Sequence, residues 1–127
     1  MNKLSLSTVG VAIAAATLMG ASGVRAQDPV KVDPKHYTVV FENKEVRILR
    51  IHYGRGEKSV MHSHPDAVAV FLADQKAKMN HPDGKSEEMS AKKNEAVFMN
   101  GGKHLPENIG RGPIELILVE LKKLGAR

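Results

Sequence analysis

The sequence has no cysteine and no tryptophan, and only 4% of its 127 residues are aromatic. Without cysteine, disulfides, thiol nucleophiles and thiolate metal sites are all excluded. Any catalysis or metal binding must rest on His, Asp, Glu, Tyr, Ser or Thr. The length excludes two domains, and also a large single architecture such as an α/β barrel of about 250 residues. Internal repeats, low-complexity tracts and linkers are missing. After residue 26, no stretch of about ten residues keeps a 3.6-residue apolar period. The 42% hydrophobic and 26% charged content is ordinary for a globular protein.

The first 26 residues read as a leader rather than as fold. Lys3 supplies a positive start, an Ala-rich apolar run extends from about Val9 to Met19, and Val24-Arg25-Ala26 offers small residues at −3 and −1 of a cleavage site before Gln27. That is the pattern of a secretory signal peptide. The run is broken by Ser and Gly and is shorter than the roughly 20 residues of a membrane span. The expected destination is periplasmic or secreted, with no membrane attachment after cleavage. Removing Lys3 and Arg25 takes the net charge from +5 to +3. That balance is too weak and too interspersed for a nucleic-acid partner.

Gln27–Pro34 is polar with two prolines and reads as an N-terminal arm, extending to His36. From Tyr37 to the C-terminus the pattern is short β segments punctuated by turns: Tyr37–Phe41, Glu45–Tyr53, Ser59–His64, Ala67–Leu72, Lys76–Asn80, Ala96–Met99 and Ile114–Leu121. Glu42-Asn43-Lys44, Pro82-Asp83-Gly84 and Asn100-Gly101-Gly102 mark turns. About eight strands at this spacing predict an all-β sandwich or barrel. Ile114–Leu121 is apolar on both faces apart from Glu115 and Glu120. It is predicted to be buried on both sides, by a second sheet or by the partner in a homodimer. The charge run Lys85–Lys93 reads as a solvated face.

Six histidines stand at 36, 52, 62, 64, 81 and 104. On a strand, His62 and His64 share one face about 6–7 Å apart, close enough to reach one ion. Gly56 precedes His62 by five intervening residues. Forty residues after His64 comes His104, in Gly101-Gly102-Lys103-His104, with Asn108 following after three intervening residues.

Gly-x5-His-x-His followed by Gly-x2-His-x3-Asn resembles the paired motifs of the cupin superfamily, over about Val39 to Lys122. The stretch His64-Pro65-Asp66-Ala67-Val68-Ala69-Val70-Phe71-Leu72, the Glu107-Asn108-Ile109-Gly110 turn and the Val119-Glu120-Leu121-Lys122 end are similar to small single-domain cupins. The resemblance implies a cupin-type jelly-roll β-barrel over residues 37–127. It also implies one divalent metal held by His62, His64 and His104. Three departures stand out. The first motif's glutamate falls at Val68 or Ala69, and its closing glycine at Gln75 or Lys76. The second motif's proline is Met99. A three-histidine face remains, as in some cupin-fold dioxygenases that use non-haem iron.

Neutral imidazoles suit Fe, Zn, Ni or Cu, and the resemblance leaves Mn open as well. Three ligands leave positions free for water or a small-molecule substrate. A neutral ligand set keeps the ion's full charge and favours an anionic or enolate-forming ligand. Two readings follow: a dioxygenase-like metal enzyme acting on a small organic molecule, or a non-catalytic metal- or ligand-binding protein. No catalytic base is assigned. Asp66 is a candidate ligand or partner of the histidines, and Met61 and Met99 are candidate thioether ligands for copper. His81 and His36 are predicted to be exposed and His52 to sit in the barrel wall, with pocket lining as its alternative. Glu107 and Asn108 are expected to shape the turn after His104.

Overall fold

The computed structural model describes residues 27–123. The leader predicted over residues 1–26 and the last four residues lie outside them. The chain opens with a single helical turn, α1 (Pro29–Val32), capped by the Asp28 carboxylate on the Val30 amide at 3.0 Å, with proline in the first turn. Nine strands follow: β1 (Tyr37–Glu42), β2 (Val46–Tyr53), β3 (His62–His64), β4 (Ala67–Phe71), β5 (Gln75–Asn80), β6 (Ser86–Ala91), β7 (Ala96–Met99), β8 (Gly102–Asn108) and β9 (Ile114–Leu121). They form a five-stranded sheet ordered β1-β2-β9-β4-β7 and a four-stranded sheet ordered β3-β8-β5-β6. All pairings are antiparallel.

The all-β jelly roll expected from the sequence is present. The two sheets are not hydrogen-bonded into one closed barrel; they face each other across the core. The larger sheet supplies Leu49, Ile51, Tyr53, Ala69, Leu116 and Leu118 to that core, and the smaller one contributes Ala77.

Two strands lie where the β-branched and apolar pattern marked none, although the second motif placed His104 on a strand neighbouring that of His62 and His64. The charge run at Lys85–Lys93 contains β6, an edge strand paired only with β5. Its exposed Glu87 and Glu88 hid the β pattern, and charge on an edge also blocks pairing with other chains. The residues of β8 had read as turns because of Gly102, Pro106 and Asn108. Pro106 lies just past the end of the β3–β8 pairing, and its carbonyl accepts from the Ser59 amide at 2.9 Å. Conversely, the expected strand at Ser59–His64 pairs only over His62–His64.

Within one chain, β9 is fully buried on one face only. Ile114, Leu116, Leu118 and Glu120 are buried, whereas Glu115, Ile117 and Val119 are half-buried. The outer face carries a row that crosses all five strands in register: Phe41, Ile48, Val119, Val68 and Phe98. Phe41 is 52% exposed and Phe98 58%.

Candidate metal centre

The three histidines converge because β3 and β8 pair with His62 directly opposite His104. Alternation along β3 puts His64 on the same face as His62. Opposite His64 stands Gly102, which has no side chain to crowd the space. Gly101 must also be glycine, since a Cβ there would lie 2.8 Å from the His64 carbonyl oxygen and 2.9 Å from the Asp66 amide. The three imidazoles meet edge to face, with ring centroids 4.8 to 5.1 Å apart. Each offers one nitrogen, and these nitrogens lie within 4.8 Å of one another.

The outward nitrogens fix the tautomers. His62 Nδ1 lies 2.8 Å from the Val60 carbonyl oxygen, and His64 Nδ1 lies 2.7 Å from Glu120 Oε2. Both partners are acceptors, so each Nδ1 carries the proton and each Nε2 presents a lone pair. The two Nε2 atoms face each other at 3.0 Å. Among the described residues, His104 Nε2 is buried without a hydrogen-bond partner. An unpaired buried polar atom costs about 1–3 kcal/mol. A cation among these nitrogens would remove that cost and the repulsion between the lone pairs, so the residues fit a metal ion.

The support for His64 crosses between the sheets. Glu120, on β9, takes His64 on one oxygen and Arg47 Nε on the other at 2.6 Å; Arg47 then grips Asp28 with two nitrogens at 2.8 and 3.0 Å. Burial opposes ionisation of Glu120, but the hydrogen bonds from His64 and Arg47 outweigh it and hold its carboxyl below the usual range. Beside His62, the Tyr37 hydroxyl lies 3.0 Å from Nε2 and is hydrogen-bonded to the Tyr53 hydroxyl. Burial pushes both phenols above their ordinary range.

Burial, and then the neighbouring imidazoles, lower His62 to about 4 and His104 to about 3. Both are therefore neutral at pH 7, the form a metal takes. In the unfolded chain each would bind a proton below about pH 6.5. Between pH 6.5 and 4 the unfolded state holds more protons, so stability falls as pH falls. Metal-free protein should lose on the order of 2 kcal/mol per histidine between pH 7 and pH 5. Urea unfolding at the two values checks this, and an unchanged midpoint would contradict it.

His64 and His104 border a cavity of about 250 Å³ between the sheets, lined largely by apolar side chains including Ile51, Phe71, Met79, Met89, Leu116 and Leu118. Among the described residues no carboxylate lines it, and Lys103 is its only lysine or arginine.

The remaining candidates fall elsewhere. Asp66 is exposed and accepts from the Gly101 amide at 2.7 Å, shaping the turn rather than facing the histidines. His36, predicted to be exposed, is buried. Its ring stacks on Tyr53 and its Nδ1 lies 2.8 Å from Asp33, because the arm folds back onto the core. His52 faces outward on β2 and pairs with Glu115 at 3.0 Å, so it neither packs in the interior nor lines the cavity. His81 pairs with Glu87 at 3.1 Å and borders the cavity. Met99 also borders it, and Met61 does not. Asn108 does shape the chain after His104: its amide donates to the Gly54 and Gly112 carbonyls, and its oxygen accepts from the Gly110 amide.

Sequence reasoning assigned no role to Tyr37, Arg47 or Glu120. The signal for Glu120 was its parity, since it shares the inward face of β9 with Ile114, Leu116 and Leu118. An acid on a buried apolar face needs a partner.

Paired sheets with three histidines at one end of an apolar cavity define a small cupin-fold protein. The chain has the cupin fold, the double-stranded β-helix. No protein-family model matches the chain, and no curated protein does. Solved structures do match. A cupin domain from Bordetella pertussis Tohama I superimposes with a TM-score of 0.62 at 20% identity, over 68% of this chain and 91% of that one. A conserved protein with a double-stranded β-helix domain from Klebsiella pneumoniae gives 0.56 at 18%, over 71% and 78%. An RmlC-like cupin family protein from Methanocaldococcus jannaschii gives 0.55 at 19%, over 71% and 84%.

Proposed function

We propose that this protein binds one divalent metal through His62, His64 and His104 and presents it to a small, largely apolar organic molecule in the adjoining cavity. The observation that carries this reading is the set of inward lone pairs, above all the buried, unpartnered Nε2 of His104. When bound, such an ion supplies Lewis acidity and open coordination positions. The chain's own residues orient the imidazoles through Val60 and Glu120, and the apolar lining keeps water from the bound molecule. The cavity suits a molecule that carries an oxygen donor on an otherwise apolar body. A dioxygenase-like reaction is the enzymatic form of the proposal. The lack of a carboxylate in the lining favours a second reading, a non-catalytic metal and ligand binder. Elemental analysis of purified protein tests the shared core of both: about one ion per chain is expected, and none would refute it.

The leader pattern supports export to the periplasm or beyond, and an intact mass beginning near Gln27 would accord with it. The outer face of the five-stranded sheet supports a homodimer. The five strands, four to eight residues long and about 4.8 Å apart, present roughly 500 Å², to be set against the ~800 Å² per partner of a standard interface. A second copy offers the same apolar row, and two sheets can pack face to face. Light scattering should give twice the chain mass, and Phe98→Glu should give the monomer. A monomeric unmodified protein would remove the dimer.

A further inference from the structure

We propose that Tyr37 supplies a fourth protein atom to the metal, its phenol oxygen, and that Tyr53 positions that oxygen by donating a hydrogen bond to it; this rests on the three-histidine reading above.

The geometry starts at His62 Nε2, which has two close polar neighbours. His64 Nε2 and the Tyr37 hydroxyl oxygen each lie 3.0 Å away. Ligand atoms about 2.0–2.2 Å from a common ion and roughly 90–110° apart stand about 3.0–3.5 Å from one another. The tyrosine oxygen therefore stands from His62 Nε2 at the distance the second histidine nitrogen does.

Hydrogen-bond accounting agrees. Without metal, the Tyr37 O–H donates to the His62 Nε2 lone pair and its oxygen accepts from Tyr53 O–H. A metal on Nε2 takes that lone pair away. The Tyr37 proton then has only the Tyr53 hydroxyl oxygen to turn to, which would displace the Tyr53 proton within a buried site, where an unmet donor is costly. Forming the metal–oxygen bond resolves this. The phenol O–H bond breaks, the proton leaves to solvent, and Tyr53 O–H still donates to the resulting anionic oxygen. Tyr37 is 2% exposed and Tyr53 1%, so both rings are held by packing. Tyr37 is further fixed by its amide, which donates to the Asp33 carbonyl at 3.2 Å. A carboxylate from the β4 segment is not available: Val68 lies on the outer row, and Ala69 carries only a methyl group.

Ferric iron is the probe, because a phenolate bound to it gives a visible charge-transfer band that histidine ligands do not give. The protein loaded with ferric iron should be coloured. Tyr37→Phe should lose the band, keep a folded circular-dichroism spectrum and retain most of its iron. Tyr53→Phe should keep the band at a shifted wavelength. One iron per chain without a band, or a band that survives in Tyr37→Phe, overturns the assignment of Tyr37 and leaves the three-histidine site standing. An unshifted band in Tyr53→Phe overturns the positioning role. Failure of the unmodified protein to take up ferric iron or any divalent metal overturns both this inference and the reading on which it rests.

Discussion

Replacing His104 with alanine should strip the protein of metal while leaving it folded. The Nε2 of His104 has no hydrogen-bond partner, so its loss breaks no bond within the chain. Only two histidines would remain, on a single three-residue strand. Losing an outer partner of a ligand typically costs 10–100-fold in metal affinity, and losing a ligand itself should cost more than about 100-fold. Metal titration of the variant checks this, with circular dichroism reporting the fold. His52→Ala is the matched control, because that ring is exposed and paired with Glu115 on the outer face. His81→Ala, tied to Glu87, should also retain metal. His36 is unsuitable as a control, since it is buried against Tyr53 and Asp33. Full metal content in His104→Ala would refute the centre as drawn.

The second large effect is expected at Glu120. Glu120→Gln removes the charge that joins His64 to Arg47. The amide can still accept from one of them, but it no longer holds the His64 Nδ1 proton with a carboxylate or balances the guanidinium. Breaking a buried pair from one side commonly costs about 3–5 kcal/mol. Arg47 keeps both hydrogen bonds to Asp28, so a loss of about 2 kcal/mol is expected here. Metal affinity should drop about 10–100-fold through the misdirected imidazole. Urea unfolding and metal titration read the two effects separately. Glu115→Gln, on the same strand but on the outer face, should stay within about 0.5 kcal/mol and leave affinity unchanged. Equal behaviour of the two variants would show that Glu120 does not direct His64.

The sequence by itself determined the β architecture and the three histidines. Seven of the nine strands were legible because β-branched and apolar runs alternate with strong turn residues. The His-x-His pair was legible because a strand repeats its face every two residues. The Gly-Gly before His104 marked a place where two backbones come close, which the contacts of Gly101 bear out. β6 and β8 were hidden, one by charges on an exposed edge and the other by glycine and proline in a paired strand. Local composition there signals solvent or turn, and pairing with β5, and for β8 with β3 as well, makes a strand of each.

Tertiary structure alone decided what surrounds the histidines. Glu120 lies 56 residues from His64, and Tyr37 lies 25 from His62. No short-range pattern links such positions; strand order and register bring them together. The same holds for His36. Its polar, proline-bearing neighbourhood predicted exposure, yet α1 folds the arm back so that the ring stacks on Tyr53. The face of β9 that remains open was also undecidable from an apolar run. Burial on one side or both depends on which elements lie above and below the strand, and these come from distant parts of the chain.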